Sequence, residues 1–140
     1  MEIGSVLVRR GLASTQDVES ARREANGRRI DQILVDRGIV TEEGTLRALA
    51  DELGMQFVTL SEDDIDTELL RLFPPAAIFR HEAIPVSRED DTITLATADP
   101  FDLEAVDELS TVSGFRIQLV LACRDEILGL IKQELGVGGD

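Results

Sequence analysis

Ile3-Gly4-Ser5-Val6-Leu7-Val8-Arg9-Arg10-Gly11-Leu12-Ala13-Ser14 is followed by Ile30-Asp31-Gln32-Ile33-Leu34-Val35-Asp36-Arg37-Gly38-Ile39-Val40-Thr41, the same pattern at a constant shift of 27 residues. Leu-Val-x-Arg-Gly stands in both copies, ending at Gly11 and at Gly38. In each copy the apolar residues (Ile3, Val6 and Leu7; Ile30, Ile33 and Leu34) recur at spacings that place them on one face of a short helix. The glycine closes that helix, because glycine enters the left-handed conformation past a helix end without steric cost. Ser14 and Thr41 then cap a second helix. Ser14 has Asp17 three residues on, a capping-box pair, and Thr41 has Glu42 and Glu43 at the positive end of the helix dipole. Each unit reads helix, glycine turn, helix. Units this short cannot bury an apolar face alone, so the two are expected to pack on each other as a pseudo-symmetric helical lobe.

The long helix of the second copy runs from about Glu42 to Leu53 and ends at Gly54, and Gln56-Phe57-Val58-Thr59-Leu60 reads as a strand. From Ser61 the texture changes. Ser61-Glu62-Asp63-Asp64 caps a helix with apolar residues at Ile65, Leu69, Leu70 and Phe73, stopped by Pro74-Pro75 and followed by a helical turn over Ala76 to Arg80. The strand from Ala83 to Arg88 has to lie at a sheet edge, because Pro85 has no N–H to donate. Glu89-Asp90-Asp91 turns it into a hairpin with Thr92 to Thr97. Ala98-Asp99-Pro100 breaks the chain into a helix over about Leu103 to Ser113, closed by Gly114; a strand over Arg116 to Leu121 and a helix over Arg124 to Leu135 follow. The fold class is α+β: a helical tandem-repeat lobe over residues 1–60, packed on a small three-layer-like α/β lobe over 61–136 with a short mixed sheet. Residues 137–140, after Gly136, read as a linker.

Composition narrows the function. No apolar run approaches the roughly 18 residues of a membrane helix, and Met1-Glu2-Ile3-Gly4 lacks the basic start and apolar stretch of a secretory signal, so the chain is expected in the cytoplasm. The single Cys123 can form no intramolecular disulfide and reads as a small apolar residue at a strand end; neither it nor His81 has neighbours at zinc-ligand spacing. The formal charge of −14 is uneven, with a net of −2 over residues 1–60, where eight arginines stand among ten acids, and −12 over residues 61–140. Such an acidic second half repels nucleic acid and anionic lipid, and the absence of Trp and Tyr removes the stacking platforms that bases use.

Catalytic constellations are missing from the sequence. There is no Gly-x-x-x-x-Gly-Lys-Ser/Thr, and Lys132, the only lysine, lies in the last helix. The acids Glu62, Asp63, Asp64, Asp66 and Glu68 lack calcium-loop spacing and suit a solvated helix start. His81 has no nucleophile motif beside it. Arg28 and Arg29, before the second repeat helix and close to the junction of the two units, can fork onto phosphate oxygens, the alternative being ordinary solvated charge.

Pro74-Pro75, Ile84-Pro85-Val86, Ala98-Asp99-Pro100 with Asp102, Ala105, Asp107 and Leu109, then Gly114, Ile127 and Ile131, form a pattern that resembles the N-terminal domain of type II secretion and type IV pilus assembly ATPases. The tandem repeat resembles the motif of the members that bind cyclic di-GMP, Arg/Lys-Leu-Gly-x-x-Leu-Val-x-x-Gly followed by a Leu-rich helix. Here Glu2 stands at the basic position of the first copy, and in the second Arg29-Ile30 fits while Asp31 replaces the glycine. Val18 and Arg22 stand where leucines are expected, Thr45 precedes a matching Leu49, and Ala25 and Glu52 replace the closing glutamines.

The resemblance implies a non-catalytic adaptor without a cofactor of its own. It would dock the motor domain of its full-length chain to the cytoplasmic domain of an inner-membrane platform protein, peripheral to that membrane, without nucleic acid or direct membrane insertion. A second reading is a sensor that binds cyclic di-GMP through Arg29, with Arg28, Ile3, Gly4, Leu7, Ile30 and Leu34 lining the site. Carboxylates at Glu2 and Asp31 would each oppose a dianionic ligand by on the order of 1 kcal/mol. Glu2 is expected in a flexible terminal segment and Asp31 at a helix opening, where its loss would cost about 1 kcal/mol at most.

Overall fold

The computed structural model describes residues 2–136, so the expected linker over 137–140 lies outside the described residues. Two compact units divide between Met55 and Gln56.

The first unit holds α1 (Ile3–Arg9), α2 (Thr15–Glu24), α3 (Ile30–Asp36) and α4 (Glu42–Leu53). The repeat is kept in detail: α1 and α3 have the same length, and Gly11 and Gly38 close them with φ of 75° and 74°. The N–H of Leu12 reaches the Leu7 carbonyl at 2.9 Å, and that of Ile39 reaches Leu34 at 3.0 Å. Ser14 and Asp17 form the capping box, and the Thr41 hydroxyl accepts from the Gly44 N–H. Packing is exchanged between copies, α1 lying chiefly on α4 and α2 on α3. Leu7, Val18, Ala21, Ile33, Leu34 and Val40 from both copies make one core. Ion pairs repeat the exchange, Arg10 with Asp51 at 2.8 Å and Arg37 with Glu24 at 2.7 Å.

In the second unit the sequence Gln56 to Leu60 forms no strand. Phe57 makes one parallel bridge to Leu121, bounded by bonds of 2.8 Å from Leu121 N–H to Gln56 and from Val58 N–H to Leu121. The chain then leaves the sheet, since the Leu60 N–H donates to the Glu126 side chain at 2.8 Å. These bonds tie Gln56 and its successors to the second unit, so the division falls before residue 56 and not after residue 60.

The single helix expected from Ser61 to Phe73 is also replaced, by a 3-10 turn (Glu62–Asp64) and a separate α5 (Thr67–Leu70). Its acids compete with helix continuation: Asp64 closes a box with Ser61, Ile65 turns extended, and the Asp66 side chain caps the Glu68 N–H at 2.9 Å. Pro75 opens α6 (Pro75–His81) at its first position, where its missing N–H costs nothing. Cys123 is not on a strand; it is the N-cap residue of the last helix and half-buried.

The sheet is mixed, as expected. The edge strand β1 (Ala83–Glu89) pairs antiparallel with β2 (Thr92–Thr97), its register shifting between Pro85 and Ser87, and β2 pairs parallel with β3 (Arg116–Leu121). α7 (Leu103–Ser113) crosses between β2 and β3, and α8 (Arg124–Leu135) follows. Ile84, Ile93, Leu95, Leu109, Ile127 and Ile131, all at most 1% exposed, centre the core. Each contributes about 1.5–3 kcal/mol of transfer free energy.

Three consecutive residues at the end of α6 fasten it to the last two helices. Arg80 ion-pairs with Glu108; the His81 ring, whose side chain is 7% exposed, meets Asp102 at 3.2 Å and Glu108 at 2.5 Å. Glu82, in the left-handed region at φ 49°, receives both arms of the Arg124 fork at 2.8 Å. No helix among the described residues is long and apolar enough to cross a membrane.

The Arg124 hydrogen bonds and charge hold the Glu82 carboxyl below its ordinary value, against the opposing effect of burial, and Glu24 is lowered likewise by Arg37. A carboxyl lowered in the folded state adds stability above its unfolded value, about 4.3 for Glu, that is lost as pH falls through the folded value. Urea unfolding at pH 6, 4.5 and 3 should show this loss, and Arg124→Gln should flatten it. An identical acid profile for parent and variant would mean that the fork does not form in solution.

Candidate functional site

The tandem repeat places most of its candidate residues on α1 and α3, which touch each other. Leu7 and Leu34 are fully buried in the shared core, so neither presents its side chain to a surface ligand. Ile3 and Ile30 are half-buried and pack against that core. Gly4, Arg28 and Arg29 remain as groups that a ligand could meet, and each is already committed.

Gly4 sits where α1 presses on α2. A Cβ there would lie 2.6 Å from Val18 Cγ1 and 2.9 Å from Arg22 Nη2, so glycine is demanded by the protein's own side chains. Beside it runs an open groove of about 420 Å³ lined by Gly4, Ser5, Val8, Arg9, Thr15 and Arg22. Glu2 is no flexible end: it is the N-cap residue of α1, accepting from the Ser5 N–H at 2.5 Å and ion-paired with Arg22. Burial pushes the Glu2 carboxyl up, and the Ser5 and Arg22 bonds outweigh it, leaving a net lowering.

In the second copy the charges are exchanged. Arg29 is the N-cap residue of α3, and its Nε and Nη2 donate to the two oxygens of Asp31 at 3.1 and 2.8 Å. Asp31 is 5% exposed, a buried carboxylate and not a solvated helix opening. Its replacement therefore costs more than the loss of a cap, because the Arg29 guanidinium would lose a bidentate partner. Arg28 holds Asp36 at 2.6 Å. Thr45, at the place of Val18, is 1% exposed and its hydroxyl has no hydrogen-bond partner among the described residues.

Carboxylates occupy seven of the eight arginines of this unit: Arg9, Arg10, Arg22, Arg28, Arg29, Arg37 and Arg47 each hold one, and the exposed Arg23 has no ion pair among the described residues. A phosphate approaching Arg29 would have to displace Asp31 and leave a buried charge unpaired, a cost of about 3–5 kcal/mol. The Glu2–Arg22 pair could have been anticipated by laying the two copies over each other. At the same shift of 27, Glu2 and Arg22 face Arg29 and Leu49, so at these two positions the first copy gains a glutamate and an arginine together.

Gly4→Ala should lower stability by about 1–3 kcal/mol, the cost of overpacking, in spite of the roughly 1 kcal/mol that alanine gains over glycine in a helix. Thermal unfolding of parent and variant checks this; an unchanged or higher Tm would show that α1 and α2 are not so close.

A family model, the MshEN domain, matches residues 53–136. The type IV pilus assembly ATPase PilB of Myxococcus xanthus is 30% identical over 133 residues, which is 94% of this chain and 24% of that protein. The chain thus spans about a quarter of the length of that relative. Among solved structures, one of MshE with cdg superposes with a TM-score of 0.82 at 24% identity, covering 96% of this chain and 99% of that one. The N-terminal domain of XpsE gives 0.71 at 25% identity, covering 94% and 92%. Since the family model spans more than half of its residues, the chain belongs to the MshEN domain family, the N-terminal domains of type IV pilus and type II secretion ATPases.

Proposed function

We propose that this chain is the non-catalytic regulatory and adaptor domain of a secretion or pilus assembly ATPase. It docks the motor to the cytoplasmic domain of an inner-membrane platform protein and is thereby held at that membrane. The observation that carries this reading is the division of charge. Residues 1–60 hold a net of only −2 and pair most of their arginines internally, whereas residues 61–140 hold a net of −12 with many carboxylates facing water. Long-range attraction of a cationic partner follows, and it is screened over about 8–10 Å in ordinary buffers. Binding of this chain to the platform's cytoplasmic domain should therefore weaken steeply from 50 to 500 mM salt. Failure to bind at 50 mM would reject the reading.

A second reading has its own support, the fold shared with MshE, which was solved with cdg, that is, cyclic di-GMP. On this reading the dinucleotide lies across α1 and α3 and uses the Arg29 fork. The Asp31 carboxylate must first be displaced, and about 3–5 kcal/mol corresponds to a loss of about 10² to a few times 10³ in affinity. Asp31→Gly combined with Glu2→Arg frees one fork and supplies another. Titration calorimetry should find the parent silent at micromolar cyclic di-GMP and the double variant binding; silence in both up to millimolar ligand removes the sensor reading.

A further inference from the structure

Six large apolar residues are exposed among the described residues, and three of them, Phe101 at 42%, Leu103 at 71% and Val112 at 43%, belong to α7 or the turn that leads into it. A helix at 100° per residue turns Glu104, Asp107 and Thr111 into one outward stripe, with Leu103 on one flank at its start and Val112 on the other at its end. The two apolar residues are nine positions apart, about 13 Å along the axis at 1.5 Å per residue. An open groove of about 510 Å³ runs over this face between Arg80 and Val112. Its inner side is firmly held: Leu109 and Ala105 are buried, and Asp102 and Glu108 both grip His81.

Charge on the face is one-sided. Arg80, the cation on its rim, is taken by Glu108. Glu104 and Asp107 are exposed, and their carboxylates have no ion-pair partner among the described residues, in contrast to the paired carboxylates that occupy the arginines of the first unit. Apolar contact at both ends of an unpaired acidic stripe fits a helix that crosses α7 obliquely, with an aliphatic residue at each end and cations between. We propose that the outer face of α7 is the docking site for a cationic amphipathic helix of a partner protein. This deepens the adaptor reading and rests on it for the partner's identity, while the site itself stands on α7.

The 140-residue chain would be titrated with a synthetic helical peptide of leucines and lysines in that order, and with the same peptide carrying glutamates in place of lysines. The cationic peptide should bind at micromolar concentration and the acidic one should not. Glu104→Gln with Asp107→Asn should weaken binding about tenfold or more, and Leu103→Ser with Val112→Ser by a similar factor with an unchanged salt slope. Glu62→Gln with Asp63→Asn, which removes equal charge from another exposed acidic segment, should change it less than about threefold. Equal losses from the two charge pairs would show attraction by net charge alone and overturn the proposal, as would no binding of the cationic peptide at millimolar concentration. The same α7 variants are then tried on the platform's cytoplasmic domain. Unchanged binding there overturns the α7 assignment and leaves the adaptor reading intact. No platform binding even by the parent, with the peptide bound at α7, rejects the adaptor reading and leaves the site for another cationic partner.

Discussion

A helix of seven residues has about two turns and cannot close an apolar core by itself, and both α1 and α3 are that short. Their stability has to come from tertiary packing. The repeat supplies it by exchange: Leu7 and Leu34 meet in one core, α1 leans on α4 and α2 on α3, and neither copy is complete without the other. Gly11 and Gly38 make the exchange possible. Each ends its helix in the left-handed region, where an alanine would be strained, and so sends the chain back at the same angle twice.

Because both copies build the same frame, a difference between them can be read against a fixed geometry. The frame tolerates opposite solutions at the same two positions. The first copy has a glutamate at the cap and a glycine packed on Val18, and imports Arg22 as the counter-charge. The second keeps arginine at the cap and meets it with Asp31 two residues on. In both, a cation and an anion are balanced inside the protein. A site built to receive anions would leave guanidinium groups with water as their only partners; here the bidentate geometry that phosphate would use is already filled by a carboxylate.

Local chemistry was the legible part of this sequence. The capping box at Ser14, the glycine stops, the edge position of Pro85 and the bounds of α4, β2, α7, β3 and α8 all rest on residues within one turn of each other, where propensity and hydrogen bonding act directly. Readings failed where distant groups decided. Gln56 to Leu60 has strand composition, yet Glu126 draws the Leu60 N–H away from the sheet. Ser61 to Phe73 has helical spacing, yet Asp64 and Asp66 offer the backbone other partners. His81 looked inert because Asp102 and Glu108, its partners, are more than twenty residues away in sequence. The buried state of Asp31 was hidden for a different reason, since a carboxylate at a helix start is ordinarily solvated.

The buried Thr45 hydroxyl adds a last step. Thr45 stands where the first copy has Val18, of nearly the same shape, and leaving its hydroxyl without a partner costs about 1–3 kcal/mol relative to a satisfied group. Asp31, likewise buried, stands at the position where Gly4 in the first copy has no room for even a Cβ. The second copy thus buries two polar groups at positions where the first copy has a valine and a glycine. Its polar content is bound to a fixed arrangement, the Arg29 fork on Asp31, and that fork is what compensates the burial of the carboxylate. Removing the arginine without the aspartate is therefore the more damaging change of the two, since it strands a charge where the reverse change leaves a guanidinium that is 20% exposed and able to reach water.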